Sequence, residues 1–235
     1  MKLRIALLDM GGVLIDFGAG RGLPTGRADW RGREALAHYL SDRGRRVTVE
    51  DLENLLFAPW RKVHERRNEA GCEAPWDPHL KQLRRKAGVR TPGVTLLNTW
   101  FRPFGAQLEL LPGAAEAVEA LRRKGLALAL ISNVPLPGQL YVRVLRRLGL
   151  AGSFASLHFS YDSHSRKPSP AMLRKALADL RARPDEAIMV GDRRRADVAA
   201  GRTAGIATAW VKSDDGGGPR ADVTVSSLIE LAAQL

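Results

Sequence analysis

The chain has 235 residues, 45% of them hydrophobic and 26% charged, a composition typical of one large globular domain or of one domain with an added module. No apolar run approaches the length of a membrane span, and the single cysteine excludes an intrachain disulfide and suits a reducing cytoplasm. The formal net charge is +12, but the excess of basic residues is shared equally between residues 18–110 and the remainder, and no basic run is interleaved with aromatics, so a nucleic-acid-binding role is not favoured.

The first predicted element is a buried β-strand, Leu3–Leu8, which ends in a polar turn. Asp9 follows the strand directly, and Gly11 and Gly12 come soon after it. Glycine permits a tight turn and a close approach of a ligand to the backbone. Ligands of open α/β sheets bind at the carboxyl ends of the strands. Asp9 is therefore a candidate nucleophile or metal ligand, with a turn-capping aspartate as the alternative.

A helical insertion separates this strand from the next one. The glycine-rich residues 18–22 predict a flexible crossing into it. Apolar residues then recur at intervals of three and four, which indicates amphipathic helices packed on a core. The predicted helices are Arg33–Leu40, Glu50–Arg67, Pro78–Lys86 and Val94–Leu110.

Strands and helices alternate after the insertion, which predicts a parallel sheet with helices on both faces. Strand Leu126–Ile131 ends in Ser132 and Asn133, and Lys167 precedes a later helix. The other predicted elements are helix Gly138–Leu148, a strand near Phe154–Phe159, helix Ala171–Arg181, strand Ala187–Val190, helix Arg195–Ala204, and strands Ile206–Val211 and Val223–Val225.

Two further carboxylates follow the strand Ala187–Val190. Asp192 lies two residues after its end and Asp197 five residues beyond that. Two or three carboxylates can hold a hard divalent cation such as Mg²⁺. A hydroxyl such as Ser132 and a lysine such as Lys167 can hold a phosphoryl group and neutralise its charge. Each residue has a structural alternative as a cap or a solvated side chain, but together with the first aspartate they predict phosphoryl-transfer chemistry.

These segments resemble the four motifs of the haloacid dehalogenase-like superfamily. The matching segments, in order, are Asp9-Met10-Gly11-Gly12-Val13, Ser132-Asn133, Lys167-Pro168, and Gly191-Asp192 with Asp197. The resemblance covers about residues 1–17 and 110–235. It implies an α/β fold, with a Rossmann-like parallel sheet as the core and residues 18–109 as an inserted α-helical cap that closes over the site about hinges near 17–25 and 109–112.

The resemblance also implies an activity and its residues. The expected enzyme is a Mg²⁺-dependent phosphatase that acts on a small phosphorylated metabolite through an aspartyl-phosphate intermediate. The implied catalytic residues are Asp9, Ser132 and Lys167. The implied substrate contacts are Gly11, Gly12, Ser132, Asn133 and Lys167. The implied metal ligands are Asp9, the carbonyl of Gly11, Asp192 and Asp197, the last either through water or as the residue that orients Lys167.

One position departs from the phosphatase pattern of this superfamily. Most of its phosphatases carry a second aspartate two residues after the nucleophile, which performs general acid–base catalysis worth about 10²–10⁴ in rate. In this chain that residue is Gly11, which has no side chain. Asp16 and His164 are the candidate replacements, although Asp16 has the alternative role of anchoring its loop.

The glycine leaves three function classes open. Haloacid dehalogenases and phosphonate hydrolases of the superfamily also have an uncharged residue at this position, but the retained Asp192 favours Mg²⁺ and phosphorus chemistry. Phosphonate cleavage needs a Schiff-base lysine from the insertion, and nothing marks Lys62, Lys81 or Lys86 for that role. The third class is a catalytically weak relative that acts as a binding or regulatory module.

Three consecutive arginines, Arg193–Arg195, follow Asp192. Such a run is unusual beside a magnesium site. Our hypothesis is that at least one of them reaches a second anionic group on the substrate, with a solvated loop and helix start as the alternative.

Overall fold

The computed structural model describes residues 3–18, 22–213 and 217–235. Part of the predicted glycine-rich crossing, residues 19–21, lies outside the described residues. Within them the chain forms one six-stranded parallel sheet of order β3-β2-β1-β4-β5-β6. Its strands are β1 (Ile5–Leu8), β2 (Ala127–Ser132), β3 (Ser156–Phe159), β4 (Ala187–Gly191), β5 (Ala207–Val211) and β6 (Val223–Val225). The predicted parallel α/β sheet is confirmed.

The three central strands are short apolar runs because helices cover both of their faces. All four residues of β1 are buried, as are all five of β4. Leu8 pairs with Leu130 of β2 on one side and with Val190 of β4 on the other. The three strands therefore end at the same level, which brings the polar residues that follow them to one edge of the sheet.

Alternate residues of each strand enter opposite cores, as the period of two requires. Leu7 and Ile131 pack with Leu173 on one face, whereas Leu8 and Leu130 belong to the core on the other face. The helices after the insertion are α6 (Ala114–Arg123), α7 (Gly138–Arg147), α8 (Ser160–Ser163), α9 (Ala171–Asp179), α10 (Ala199–Ala204) and α11 (Leu228–Gln234). A π-helical segment, Arg194–Val198, leads into α10, so that the predicted helix Arg195–Ala204 is confirmed with a wider first turn.

The insertion is helical, as predicted. Its helices are α1 (Gly26–Ser41), α2 (Val49–Leu52), α3 (Ala58–Glu69), α4 (Asp77–Ala87) and α5 (Gly93–Gln107), with a π-helical segment, Glu53–Phe57, joining α2 to α3. They pack around a cluster of buried aromatic rings formed by Phe57, Trp60, Trp76 and Trp100.

Helix α1 begins seven residues before its predicted start at Arg33. Its first two turns are held by polar contacts and not by an apolar stripe, which is why hydrophobic spacing did not reveal them. Asp29 forms an ion pair with Arg33 at 2.5 Å and accepts a hydrogen bond of 2.8 Å from the Trp100 indole. Arg33 also forms an ion pair with Glu53 of the π-helical segment.

The insertion leaves the sheet and returns to it at neighbouring points. Ile15 and Leu110 form an antiparallel bridge. The N–H of Leu111 donates to the carbonyl of Leu14 at 2.9 Å, and the N–H of Asp16 donates to the carbonyl of Glu109 at 3.3 Å. The two crossing segments are thus tied together beside the first loop of the sheet.

No helix in the described ranges is both long enough and apolar enough to traverse a lipid bilayer.

Candidate active site

The end of the sheet opens into a cavity of about 300 Å³. The register of the central strands explains its composition, because Asp9, Ser132 and Asp192 follow or end β1, β2 and β4. The carboxylate of Asp9 accepts a hydrogen bond of 2.8 Å from the N–H of Met10, and the Asp9 N–H donates to the carbonyl of Val190 at 2.9 Å. All the site residues predicted from the sequence line this one cavity: Asp9, Gly11, Gly12, Ser132, Asn133, Lys167, Asp192 and Asp197.

Lys167 is buried between two carboxylates. Its Nζ lies 2.9 Å from Asp9 Oδ1 and 2.6 Å from Asp197 Oδ1, and it donates a 2.7 Å hydrogen bond to the carbonyl of Ile131. Burial lowers the pKa of Lys167, but the attraction of Asp197 and Asp9 outweighs it, so the pKa lies above its usual value. The ammonium group therefore stays charged beside the candidate nucleophile.

The Asn133 side chain fixes the backbone that carries this lysine. Its Oδ1 accepts a hydrogen bond from the Lys167 N–H, and its Nδ2 donates to the Lys167 carbonyl, both at 2.8 Å. The sequence predicted only a substrate contact for Asn133. The two hydrogen bonds show that its side-chain amide also joins the loop after β2 to the loop between α8 and α9 that carries Lys167, called the lysine loop below.

Asp9, Asp192 and Asp197 form a compact acidic cluster, each offering an oxygen within 4.8 Å of the others. Burial, followed by repulsion from the other two carboxylates, raises the pKa of Asp192 to about 7. Burial also raises the pKa of Asp197, to about 6, despite the attraction of Lys167. Asp192 Oδ1 is buried and has no hydrogen-bond partner in the described part of the chain. An oxygen-only donor set with excess negative charge and an unsatisfied oxygen fits Mg²⁺.

Two glycines are required by these carboxylates. Gly12 has a φ of +71°, and a Cβ built on it would overlap the carboxylate of Asp192. A Cβ on Gly191 would likewise overlap the side chain of Asp197. Any larger residue at either position would displace an acid of the cluster.

The position of the missing acid, Gly11, is occupied by an aromatic ring from further along the chain. A Cβ built on Gly11 would lie 2.7 Å from the ring of Phe17. Phe17 is buried and meets Tyr141 edge to face, with ring centroids 6.1 Å apart. Tyr141 is in turn anchored by a 2.7 Å hydrogen bond from its hydroxyl to the carbonyl of Gly22. Nothing in the sequence signalled that Phe17 fills this space.

The two candidate replacement acids lie in different places. Asp16 is exposed and lines the cavity, and its Oδ1 accepts a 2.7 Å hydrogen bond from the Gly18 N–H, which is the loop-anchoring contact. His164 lines another cavity, next to Glu73. The three lysines of the insertion are exposed on α3 and α4, away from the site cavity.

The side chains of the three arginines after Asp192 also lie in different surroundings. Arg193 lines the cavity. The guanidinium of Arg194 stacks over the ring of Trp210, 4.4 Å from its centroid. Arg195 is exposed. Of the three, Arg193 is the one among the described residues that line this cavity.

Glu73 of the insertion contacts core residues next to those that line the site cavity, and no sequence pattern marked it. Its Oε1 accepts a 2.6 Å hydrogen bond from the Ser160 hydroxyl and lies 3.3 Å from the guanidinium of Arg166. The Ser160 hydroxyl oxygen also accepts a 2.8 Å hydrogen bond from the N–H of Val134. Burial raises the pKa of Glu73, although Arg166 and Ser160 oppose this shift. One acidic residue among many in a helical insertion gives no sequence signal for such a contact.

A model of the haloacid dehalogenase-like hydrolase family matches residues 3–205. The chain belongs to this family. Membership in the haloacid dehalogenase-like hydrolases confirms the resemblance seen in the four sequence motifs, and it makes the protein a hydrolase.

The chain is similar to a phosphoserine phosphatase of Thermus thermophilus, with 30% identity over 89% of this chain and 88% of the relative. It also matches two solved haloacid dehalogenase-like structures. A HAD phosphatase from Thermococcus onnurineus superposes with a TM-score of 0.63 at 18% identity, over 99% of this chain and 97% of the other. A 2-haloacid dehalogenase from Pseudomonas syringae superposes with a TM-score of 0.64 at 22% identity, over 98% and 97%. At these identities the structures show the shared fold alone.

Proposed function

We propose that the protein is a Mg²⁺-dependent phosphatase that hydrolyses a small phosphorylated metabolite through an aspartyl-phosphate on Asp9. The observation that carries the proposal is the contact of Lys167 with both Asp9 and Asp197 inside an acidic cluster at the end of the sheet. The likeness to a phosphoserine phosphatase over most of both chains supports phosphorus as the reacting atom.

In the first step an oxygen of the Asp9 carboxylate attacks phosphorus. The bond from phosphorus to the leaving oxygen breaks, and that oxygen departs with the electron pair. Lys167, which is held at the Asp9 oxygen, neutralises charge on the phosphoryl group. The Ser132 hydroxyl and the backbone N–H of Asn133 donate hydrogen bonds to its non-bridging oxygens. Water then attacks the aspartyl-phosphate, which releases phosphate and regenerates Asp9.

The metal would be held by Asp9, the carbonyl of Gly11 and Asp192. When bound, Mg²⁺ supplies positive charge that orients the phosphoryl group and stabilises the transition state. Asp197 already contacts Lys167 through Oδ1 and accepts a 2.9 Å hydrogen bond from the Arg193 N–H through Oδ2. These contacts favour a role for Asp197 in orienting Lys167.

The helical insertion would act as a cap over this cavity. Residues 18–109 connect to the core beside the paired residues Ile15 and Leu110, next to the hinges expected near 17–25 and 109–112. Closing a cap excludes water from the reacting group and brings further contacts to the substrate. Glu73 is the residue through which the insertion would contact the lysine loop during closure.

The proposal is tested by phosphate release from p-nitrophenyl phosphate and from a panel of small phosphorylated metabolites. Each substrate is assayed with Mg²⁺ and with EDTA, and the wild type is compared with Asp9→Asn. Mg²⁺-dependent turnover that disappears in the variant supports the proposal. Equal activity in both proteins overturns it. Halide release from 2-haloacids, or trapping of a lysine by borohydride with a phosphonate, would move the assignment to the other hydrolases of the family.

A further inference from the structure

We propose that the substrate carries a carboxylate in addition to its phosphoryl group, and that Arg193 binds this carboxylate. The inference rests on the proposed phosphatase function and names its substrate class as a small phosphorylated carboxylic acid. Arg193 is then a specificity-determining residue of the site.

The position of Arg193 is set by the same residues that build the acidic cluster. Arg193 follows Asp192 directly in the sequence, and its backbone N–H donates a 2.9 Å hydrogen bond to Asp197 Oδ2. The backbone at this point is therefore fixed relative to Lys167 and Asp9. The side chain lines the cavity and is partly exposed to it.

Among the residues that the structure describes, Asp192 attracts Arg193 and thereby opposes the rise of the Asp192 pKa, but the two side chains form no ion pair. No carboxylate of the described residues forms an ion pair with the Arg193 guanidinium, whereas Lys167 and Arg166 both have acidic partners. A guanidinium that forms no ion pair at the edge of a ligand cavity is suited to bind an anion, because its planar fork of N–H groups matches a carboxylate or a phosphate.

A second arginine, Arg166, strengthens this positive region. Burial lowers the pKa of Arg166, the attraction of Glu73 opposes this shift, and repulsion from Arg193 lowers the pKa further. Glu73 lies 3.3 Å from Arg166 and compensates that arginine. Among the described residues the two arginines thus form one ion pair, and the guanidinium of Arg193 is left to contact the substrate.

Charge and size together favour a carboxylate over a second phosphate. One free guanidinium balances the single negative charge of a carboxylate, but leaves a phosphate dianion partly uncompensated. The cavity of about 300 Å³ is at the small end for ligand sites. With the phosphoryl group at Asp9, it leaves room for a carbon chain of only a few atoms.

The test compares two phosphate esters that differ at one end. The probes are 2-phosphoglycolate, which carries a carboxylate, and 2-hydroxyethyl phosphate, which carries a neutral alcohol in its place. We expect the wild type to prefer 2-phosphoglycolate by at least about tenfold in kcat/KM, or about 1.4 kcal/mol. Arg193→Gln should remove most of this preference through a higher KM, and Arg193→Lys should restore part of it.

Arg195→Gln is the matched control, because it removes the same charge from an exposed side chain that lies two residues further along the chain. It should keep the wild-type preference. Equal losses on both esters in Arg193→Gln, or no preference in the wild type, would overturn the inference. If the wild type prefers propane-1,3-diol bisphosphate over 2-phosphoglycolate, and Arg193→Gln removes this preference, the second anionic group is a phosphate. That outcome would also overturn the inference.

A binding measurement separates this inference from the proposed function. Calorimetric titration of 2-phosphoglycolate into Asp9→Asn, with and without Arg193→Gln, needs no turnover. Weaker binding of about tenfold or more in the double variant supports the carboxylate contact even if the wild type releases no phosphate. Equal binding contradicts it even if p-nitrophenyl phosphate is hydrolysed.

Discussion

The packing of the loop after β1 depends on the absence of a side chain at Gly11, two residues after Asp9. The buried ring of Phe17 fills the space into which a side chain at position 11 would project. A single substitution at Gly11 therefore cannot restore an acid without displacing the aromatic wall. In the proposed reaction the leaving oxygen must take its proton from solvent or from the exposed Asp16, so alkyl esters should react more slowly than aryl esters.

We predict that Gly11→Ala destabilises the protein by about 1–3 kcal/mol through overpacking against Phe17. The double variant Gly11→Ala with Phe17→Leu should be less destabilised than the sum of the single changes, because the two residues share one space. Urea unfolding of the four proteins measures this coupling. Gly152→Ala is the control, since no atom lies within 4 Å of its added Cβ, and a cost as large as that at Gly11 would contradict the steric argument.

Lys167 gives a second prediction for a single residue. Lys167→Met would leave Asp9 and Asp197 without their buried cation, and breaking a buried pair in this way costs about 3–5 kcal/mol. Phosphate release should fall at least about a hundredfold as well. Lys175→Met removes an exposed ion pair with Asp179 at 3.0 Å, for which about 0–1 kcal/mol is expected. Similar losses of stability in the two variants would show that the buried cation has no special role.

Among the elements, one of the contacts between the insertion and the core is made by a buried acid. Glu73 lies between α3 and α4, and it is joined to the loop after β2 through Ser160 and to the lysine loop through Arg166. Two loops that carry site residues are therefore in contact with the same carboxylate. In the proposed reaction these contacts would couple the insertion to the groups that carry the chemistry.

We predict that Glu73→Gln, which keeps the shape of the side chain and removes its charge, lowers stability by about 1–3 kcal/mol because Arg166 loses a charged partner. It should also lower kcat/KM for 2-phosphoglycolate by about tenfold, as Arg166 and the lysine loop shift. Thermal unfolding and steady-state kinetics measure the two effects. Glu34→Gln, on the exposed face of α1, is the control, and equal behaviour of the two variants would rule out the coupling.

At the scale of the whole molecule, the acidic cluster makes the free energy of unfolding depend on pH and, in the proposed function, on a bound metal ion. The pKa of Asp192 rises from an ordinary 3.8 to about 7 in the folded protein. Between these values the folded state binds more protons than the unfolded chain, so the stability of the metal-free protein should fall as pH rises through this window. A divalent cation relieves the repulsion only where the carboxylates are ionised.

We therefore predict that Mg²⁺ raises the melting temperature more at pH 8 than at pH 5.5. At a hundred times its dissociation constant, a ligand contributes about 2.7 kcal/mol, which corresponds to about 5–10 °C for a chain of this size. Differential scanning calorimetry with Mg²⁺ or EDTA checks this. Asp192→Asn should abolish the difference, whereas Asp185→Asn, at an exposed residue, should keep it. An equal shift at both pH values would contradict the assignment.

The sequence was sufficient for the architecture because the signals that define it are local. Apolar runs of four to six residues predicted β1, β2 and β4, and the polar residues at their ends predicted which side chains meet. Contacts between distant side chains carry no such signal. The ring of Phe17 at Gly11 and the link from Glu73 to Arg166 depend on how the insertion packs on the core, which neither periodicity nor spacing determines. The first turns of α1 were not predicted because polar contacts with distant residues, and not an apolar stripe, hold them in place.

The pairing of Ile15 with Leu110 has a consequence for how such a protein can diverge. Because the insertion departs and returns at adjacent points, its length and sequence can change by recombination while the register of the central strands stays the same. The core residues that line the site cavity would then be inherited intact while the insertion is exchanged. Descendants of one ancestral sheet can in this way acquire new insertions and keep the same groups at the carboxyl ends of the strands.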